Sequence, residues 1–265
     1  MSGFDKDWLR LREPADRNAR SVSLLDTFTQ YLSMRPQPQT IMDIGCGTGS
    51  TYRSLSPLVP GATWKLLDYE VALLDEAQRQ IGAAESVELH RQDLNHLEET
   101  LLDGVDIVTA SALFDLCSAE FCNLFVEKLA ARKIGLYAAL NYDGKMEWTV
   151  PHPLDGQIVE DFNQHQRSDK GFGPALGPDA SDHLSTLCRA QGFSVKTAES
   201  PWQLGPDMAQ LQTDFLAGLQ RPIHEIGNTD DDAFNEWLEF RLSHTDVEGS
   251  VCIVGHTDFL AVPHD

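Results

Sequence analysis

Asp43-Ile44-Gly45-Cys46-Gly47-Thr48-Gly49 is the stretch that decides the fold. It continues Thr40-Ile41-Met42, an apolar run short enough to be a buried strand. Three glycines in five residues then let the chain turn tightly and bring its backbone close to a ligand. The free N–H groups that open the next helix face the same place.

Working outward, Thr63–Asp68, Ser86–His90, Val105–Ala110 and Ile134–Asn141 read as further strands. Helical spacing separates them: Val71, Leu74 and Ala77 share one side of Glu70–Ile81. Ser118 caps a helix that carries Phe121, Leu124, Phe125 and Leu129. Upstream, Arg20–Leu32 places Leu24, Leu25, Phe28, Tyr31 and Leu32 at helical spacing before Pro36. Strand and helix alternate from about residue 40 to 142, which predicts an α/β, doubly wound, mostly parallel sheet with helices on both faces. Past residue 142 the pattern fades. Residues 143–180 read as a long loop rich in Gly, Pro, Asp and His. Helices are expected at Leu184–Ala190, Asp207–Leu219 and Phe234–Leu242, and strands from Gly192 and over Val251–Val262. The 265 residues are read as a single domain, with 1–35 as an N-terminal helical cap and 143–180 and 205–248 as insertions forming a substrate cap.

Composition narrows the function. Lys and Arg number 20 against 41 Asp and Glu, a formal charge of −21, which opposes binding to bare nucleic acid or anionic membrane. No apolar run is long enough to span a bilayer, and the charged start MSGFDKDWLRLREPAD has no signal-peptide core. Five cysteines, without a CxxC pair, are read as free thiols in a reducing cytoplasm, with no metal site.

The ligand class follows from the neighbours of the glycines. Asp68 ends the second strand, where a carboxylate suits the two hydroxyls of a ribose. Gln92-Asp93-Leu94 follows the third, where a side-chain acceptor and a backbone N–H can meet the edge of an adenine. Either aspartate could instead be a helix cap or turn residue. A dinucleotide fingerprint needs a small third residue where Ser50 stands, and Asp43 would repel a pyrophosphate. The ammonium of an amino-acid moiety would be held there, so a nucleoside bearing an amino acid fits better than a dinucleotide.

These three elements resemble the class I S-adenosylmethionine-dependent methyltransferases over residues 38–142. The resemblance implies a seven-stranded sheet with the last strand antiparallel, and S-adenosyl-L-methionine as cofactor. It implies that Asp43, Gly45, Gly47 and Gly49 line the methionine part, that Asp68 binds ribose, and that Asp93 and Leu94 bind adenine. Ser111 and Ala112 would flank the sulfonium. The runs LREPAD and HQRSDKGFGPALGP also resemble bacterial methyltransferases of unassigned substrate.

An Asn/Asp-Pro-Pro-aromatic run after the fourth strand, the mark of amino-nitrogen targets in nucleic acids, is absent. Ser111-Ala112-Leu113-Phe114-Asp115-Leu116 stands there. With the acidic charge, this points to a small-molecule acceptor. Asp115 is the first candidate base or anchor, with a capping role as its alternative. Phe114, Asn141 and Tyr142 are candidate substrate contacts, although Asn-Tyr-Asp-Gly also reads as a turn. The segment 165–174 gathers His165, Arg167 and Lys170 in a cation-poor chain. We expect it to form an anion-recognising lid, with Arg167 and Lys170 on the acceptor and His165 as base or donor, which makes the acceptor anionic; the alternative is a solvated loop whose charges pair locally, Asp169 with Lys170. The N-terminal block, with Arg10, Arg12, Arg17 and Arg20, reads first as a charged amphipathic helix packed on the surface, from which Trp8 or Arg12 could close the site; Trp148 and Trp202 read first as core filling, with an aromatic wall for substrate as the alternative. The remaining alternatives are aminocarboxypropyl transfer from the same cofactor, a non-catalytic cofactor-binding partner protein, and an NAD-dependent oxidoreductase.

Overall fold

The computed structural model describes residues 5–264. Its strands are β1 (Thr40–Ile44), β2 (Thr63–Asp68), β3 (Val87–Arg91), β4 (Ile107–Ser111), β5 (Gly135–Trp148), β6 (Phe193–Glu199), β7 (Trp202–Leu204) and β8 (Cys252–Pro263). The main sheet runs β3-β2-β1-β4-β5-β8-β6, and β7 pairs with β8 beside it. The first five strands are parallel; β8, the last in the chain, is antiparallel to β5, β6 and β7. The expected seven-strand path is therefore present, with short β7 added where Trp202 lies. The helices are α1 (Lys6–Ala19), α2 (Val22–Ser33), α3 (Ser50–Leu55), α4 (Val71–Ile81), α5 (Ala119–Arg132), α6 (Asp155–Gln166), α7 (Ala180–Ala190), α8 (Ala209–Gly218), α9 (Gln220–Ile226) and α10 (Asp231–Leu242).

Alternation along the strands sends side chains to opposite faces. Met42, Val108, Leu136 and Ala138 join a core with Phe125 and Leu129 of α5 and Leu184 of α7. Ile41, Ile107, Tyr137 and Ala139 join another with Phe28 and Tyr31 of α2 and Leu74 of α4. Ser118 caps α5, accepting from the Phe121 N–H at 3.1 Å. Strand order reverses between β1 and β4, where Asp43 lies beside Thr109, and this is where open α/β sheets form their ligand crevice.

The segment 143–180 is not the loop expected from its composition. β5 runs on to Trp148 because β8 keeps pairing with it: Met146 faces Val254 and Trp148 faces Cys252. Asn141 to Gly144, read as a turn, instead lies in the bulged part of this strand. Asp155–Gln166 then forms α6. These projecting strand ends carry a third core, in which Ile158, Trp202, Leu211, Leu219, Phe234 and Trp237 pack together. Arg241, 2% exposed, ties it: it donates to the Val150 carbonyl and the Asp155 carboxylate, which also accepts from Trp237 Nε1. No helix among the described residues is long and apolar enough to cross a membrane.

Candidate active site

The glycine turn sits where β1 ends. Gly45, Gly47 and Gly49 have φ of 60°, 55° and 83°, conformations costly for residues with a Cβ. A Cβ on Gly45 would lie 3.3 Å from Leu113, and one on Gly47 3.3 Å from Leu9 of α1. The turn is thus pressed between the segment after β4 and the N-terminal helix. Asp68 fastens it: Oδ2 accepts from the Gly47 N–H at 2.8 Å and Oδ1 from the Glu70 N–H at 2.9 Å. Burial raises the Asp68 pKa against these bonds. Asp93 caps the turn that contains Leu94, accepting from the Asn95 N–H at 3.0 Å, and Gln92 Nε2 donates to the Asp93 and His96 carbonyls. Leu94 packs against the core.

Under the glycine turn lies a pair of opposite charges with free valences. Asp43 is fully buried; Oδ1 accepts from Thr109 Oγ1 at 2.7 Å, and Oδ2 has no partner among the described residues. Burial pushes its carboxyl up to about 7, with Thr109 and Arg20 opposing. Arg20, in the linker between α1 and α2, gives Nη2 to Ser111 Oγ at 2.6 Å and feels the charges of Tyr137 and Asp258, while its buried Nε and Nη1 have no hydrogen-bond partner among the described residues. Leaving such atoms dry and unpaired costs several kcal/mol, on the order expected for buried ionic groups. An α-amino acid answers both needs, its ammonium meeting Asp43 and its carboxylate meeting Arg20. The donor set therefore fits the methionine end of an S-adenosyl nucleoside. Ala112 follows with φ 50°, a conformation uncommon outside glycine. No sequence signal separates Arg20 from the other arginines of the charged N-terminal segment, Arg10, Arg12 and Arg17.

A cavity of about 320 Å³ adjoins Ala112. Trp8, Phe162, Trp202 and Phe215 give it aromatic walls, and Arg12, Asp115, Tyr142 and His256 supply polar groups. Asp115, Tyr142 and His256 are 5%, 6% and 5% exposed, and Asp115 Oδ1, Tyr142 Oη and His256 Nδ1 have no partner among the described residues. Burial lifts the Asp115 carboxyl to about 6, Arg12 opposing. Burial, reinforced by Arg12, lowers His256 to about 3, so its ring is neutral at physiological pH. Arg12 is bound by Asp16 at 2.9 and 3.1 Å and lies over the Trp202 ring, 4.9 Å from its centroid. Asp16 also accepts from Trp202 Nε1.

Several expected contacts lie elsewhere. Phe114 is in the core, its ring 6.0 Å from that of Phe125, because the turn after β4 points it inward. Asn141 is buried in the bulge of β5 and donates to the carbonyls of Ala138 and Thr257. Neither lines the cavity. His165 Nε2 meets Glu225 at 3.0 Å, and its Nδ1 meets Lys170 Nζ at 3.1 Å. Arg167 donates to Asp179 and to the Asn163 carbonyl. The cation cluster is thus satisfied by acidic neighbours and does not line the cavity. Trp148 packs on Trp237 and under Arg241. His256, to which the sequence assigned nothing, is in the cavity because β8 passes beside β5. The five cysteines are free and buried, and no metal-binding cluster of His, Cys, Asp or Glu forms among the described residues.

Residues 41–132 match a family model described as a methyltransferase domain. A curated relative, malonyl-[acyl-carrier protein] O-methyltransferase of Halalkalibacterium halodurans, is 29% identical over 173 residues, which cover 53% of this chain. The chain spans 62% of that relative's length. Among solved structures, a cyclopropane synthase from Mycobacterium tuberculosis aligns with TM-score 0.55 at 12% identity, covering 98% of this chain and 94% of the other. A mycolic acid cyclopropane synthase complexed with SAH and CTAB aligns with TM-score 0.56 at 14% identity, covering 97% and 94%. These two likenesses concern the fold. The matched segment runs from β1 through α5 and holds the glycine turn, Asp68 and Asp93, the residues through which the chain resembles the class I S-adenosylmethionine-dependent methyltransferases.

Proposed function

We propose that the protein transfers a methyl group from S-adenosylmethionine to a small-molecule acceptor seated in the aromatic cavity. The observation that carries this reading is the unpaired Asp43–Arg20 set beneath the glycine turn, adjoining a cavity that begins at Ala112. The bound cofactor supplies a methyl group on a sulfonium, already a strong electrophile. The chain has to place the acceptor atom in line with that methyl, exclude water, and take a proton where the nucleophile carries one. Asp68 would hold the ribose, Asp93 and the Leu94 N–H the adenine, and Ser111 and Ala112 would flank the sulfur. Leu9, Trp8 and Arg12 of α1 would cover the site. The third core, built by 143–180 and 205–248 with β7 and β8, would act as the substrate cap. Asp115 would anchor the acceptor and receive its proton.

The cavity's size, near the low end of the usual range, supports a small acceptor. Its charge argues against the anionic acceptor expected from Arg167 and Lys170, which do not line it. The anionic malonyl group in the relative's name would have Arg12 alone to meet it, and Asp16 already neutralises Arg12. The test is a product assay with purified protein, S-adenosylmethionine and a metabolite panel. Methyl transfer releases S-adenosylhomocysteine; aminocarboxypropyl transfer releases methylthioadenosine; a non-catalytic binder releases neither.

A further inference from the structure

We infer that the acceptor is an amine, recognised in its protonated form by the unpaired atoms of Asp115, Tyr142 and His256. This rests on the methyltransferase reading and deepens it. Three buried polar atoms in one cavity lack partners among the described residues, and each can accept a hydrogen bond: the Asp115 carboxylate, the Tyr142 phenol oxygen, and the Nδ1 of His256 in the tautomer that carries its proton on Nε2. They are neighbours. The Asp115 charge acts on Tyr142, and the rings of Tyr142 and His256 lie 6.4 Å apart. A primary ammonium carries three N–H donors and no acceptor, and an alkoxide or carboxylate carries the reverse.

The wall points the same way. Arg12 is neutralised by Asp16, Asp214 adds an exposed carboxylate to the lining, and His256 adds no positive charge. The local balance is negative, and aromatic faces attract cations. Trp202 stands 5.1 Å from His256 and 6.3 Å from Trp8 and Phe215, ring to ring, so the aromatic wall runs beside the acceptor atoms.

The step balances without a further reactant. The Asp115 carboxylate takes one proton from the ammonium and leaves a neutral amine with a lone pair. The nitrogen forms a bond to the methyl carbon as the carbon–sulfur bond breaks, its electron pair going to sulfur. The product is a methylated ammonium, and Asp115 returns its proton to solvent.

The experiment is calorimetry on the protein loaded with S-adenosylhomocysteine, using two matched sets: benzylamine, benzyl alcohol and benzoate, and tryptamine, tryptophol and indolepropionate. The expected result is that an amine binds about tenfold or more tightly than its alcohol and carboxylate counterparts. Asp115→Asn should abolish that preference, and Tyr142→Phe, the milder change, should reduce it. Equal or tighter binding of the alcohols or carboxylates overturns the inference, as does an absence of amine binding at millimolar concentration. Failure of the protein to take up S-adenosylhomocysteine in the loading step would instead remove the methyltransferase reading on which it rests.

Discussion

Arg20 reaches across 91 positions of sequence to give Nη2 to Ser111 Oγ at 2.6 Å, joining the α1–α2 linker to the end of β4. Among the described residues, Nε and Nη1 stay buried and unpaired, within electrostatic reach of an Asp43 whose Oδ2 is also unpaired. Arg20→Met keeps the apolar stem and removes the charge. It should weaken S-adenosylhomocysteine binding by roughly ten- to a hundredfold, the worth of a charged hydrogen bond, measured at a temperature where the variant is folded. Calorimetry and thermal unfolding of the variant check this.

Asp43 makes cofactor binding depend on pH. Burial raises its pKa to about 7, so in the free protein it is partly protonated at neutral pH. A ligand ammonium favours the ionised form, so binding should release a proton. Affinity for S-adenosylhomocysteine should therefore rise between about pH 6 and 8, and Asp43→Asn should flatten that rise. Stability of the free protein runs the opposite way. A carboxyl raised in the folded state favours folding below its unfolded pKa, near 3.9, and loses that contribution as pH rises through its folded value. Asp115, raised to about 6, adds to the same trend. Titrations at several pH values, with unfolding curves alongside, read both effects.

Gly47→Ala tests the cradle itself. Its φ of 55° disfavours any Cβ, and the new methyl would meet Leu9 at 3.3 Å. The substitution should cost about 1 kcal/mol or more and weaken cofactor binding. Leu9→Ala in the same chain should relieve the contact without removing the backbone strain, so recovery should be partial. Chemical denaturation of the single and double variants measures the two parts.

Arg167→Ala and Lys170→Ala should leave acceptor turnover unchanged in the S-adenosylhomocysteine-release assay. Arg167 pairs with Asp179 at 2.9 Å with half its side chain exposed, an arrangement worth about 1 kcal/mol at most. A large loss of acceptor turnover in either variant would place the lid at the site.

The parallel core was legible because its signals are local. Short apolar runs, glycine punctuation and carboxylates at strand ends lie within a few residues of each other, so Asp43, Asp68 and Asp93 could be aligned without a structure. The acceptor side was not legible, because it is assembled from remote segments. Arg12 comes from α1, Tyr142 from the bulged part of β5, and His256 from β8; on the cofactor side, Arg20 comes from the α1–α2 linker in the same way. The cations at 165–170 looked functional only because their partners Asp179 and Glu225 could not be located from sequence. The unpredicted length of β5 has the same origin, since its continuation depends on a strand more than a hundred residues away.

The most direct measurement is calorimetric titration of the purified protein with S-adenosylhomocysteine and, separately, with NAD. The account requires saturable one-to-one binding of S-adenosylhomocysteine, weakened by Arg20→Met, and no heat from NAD. Saturation by NAD, or no response to S-adenosylhomocysteine at millimolar concentration, would contradict it.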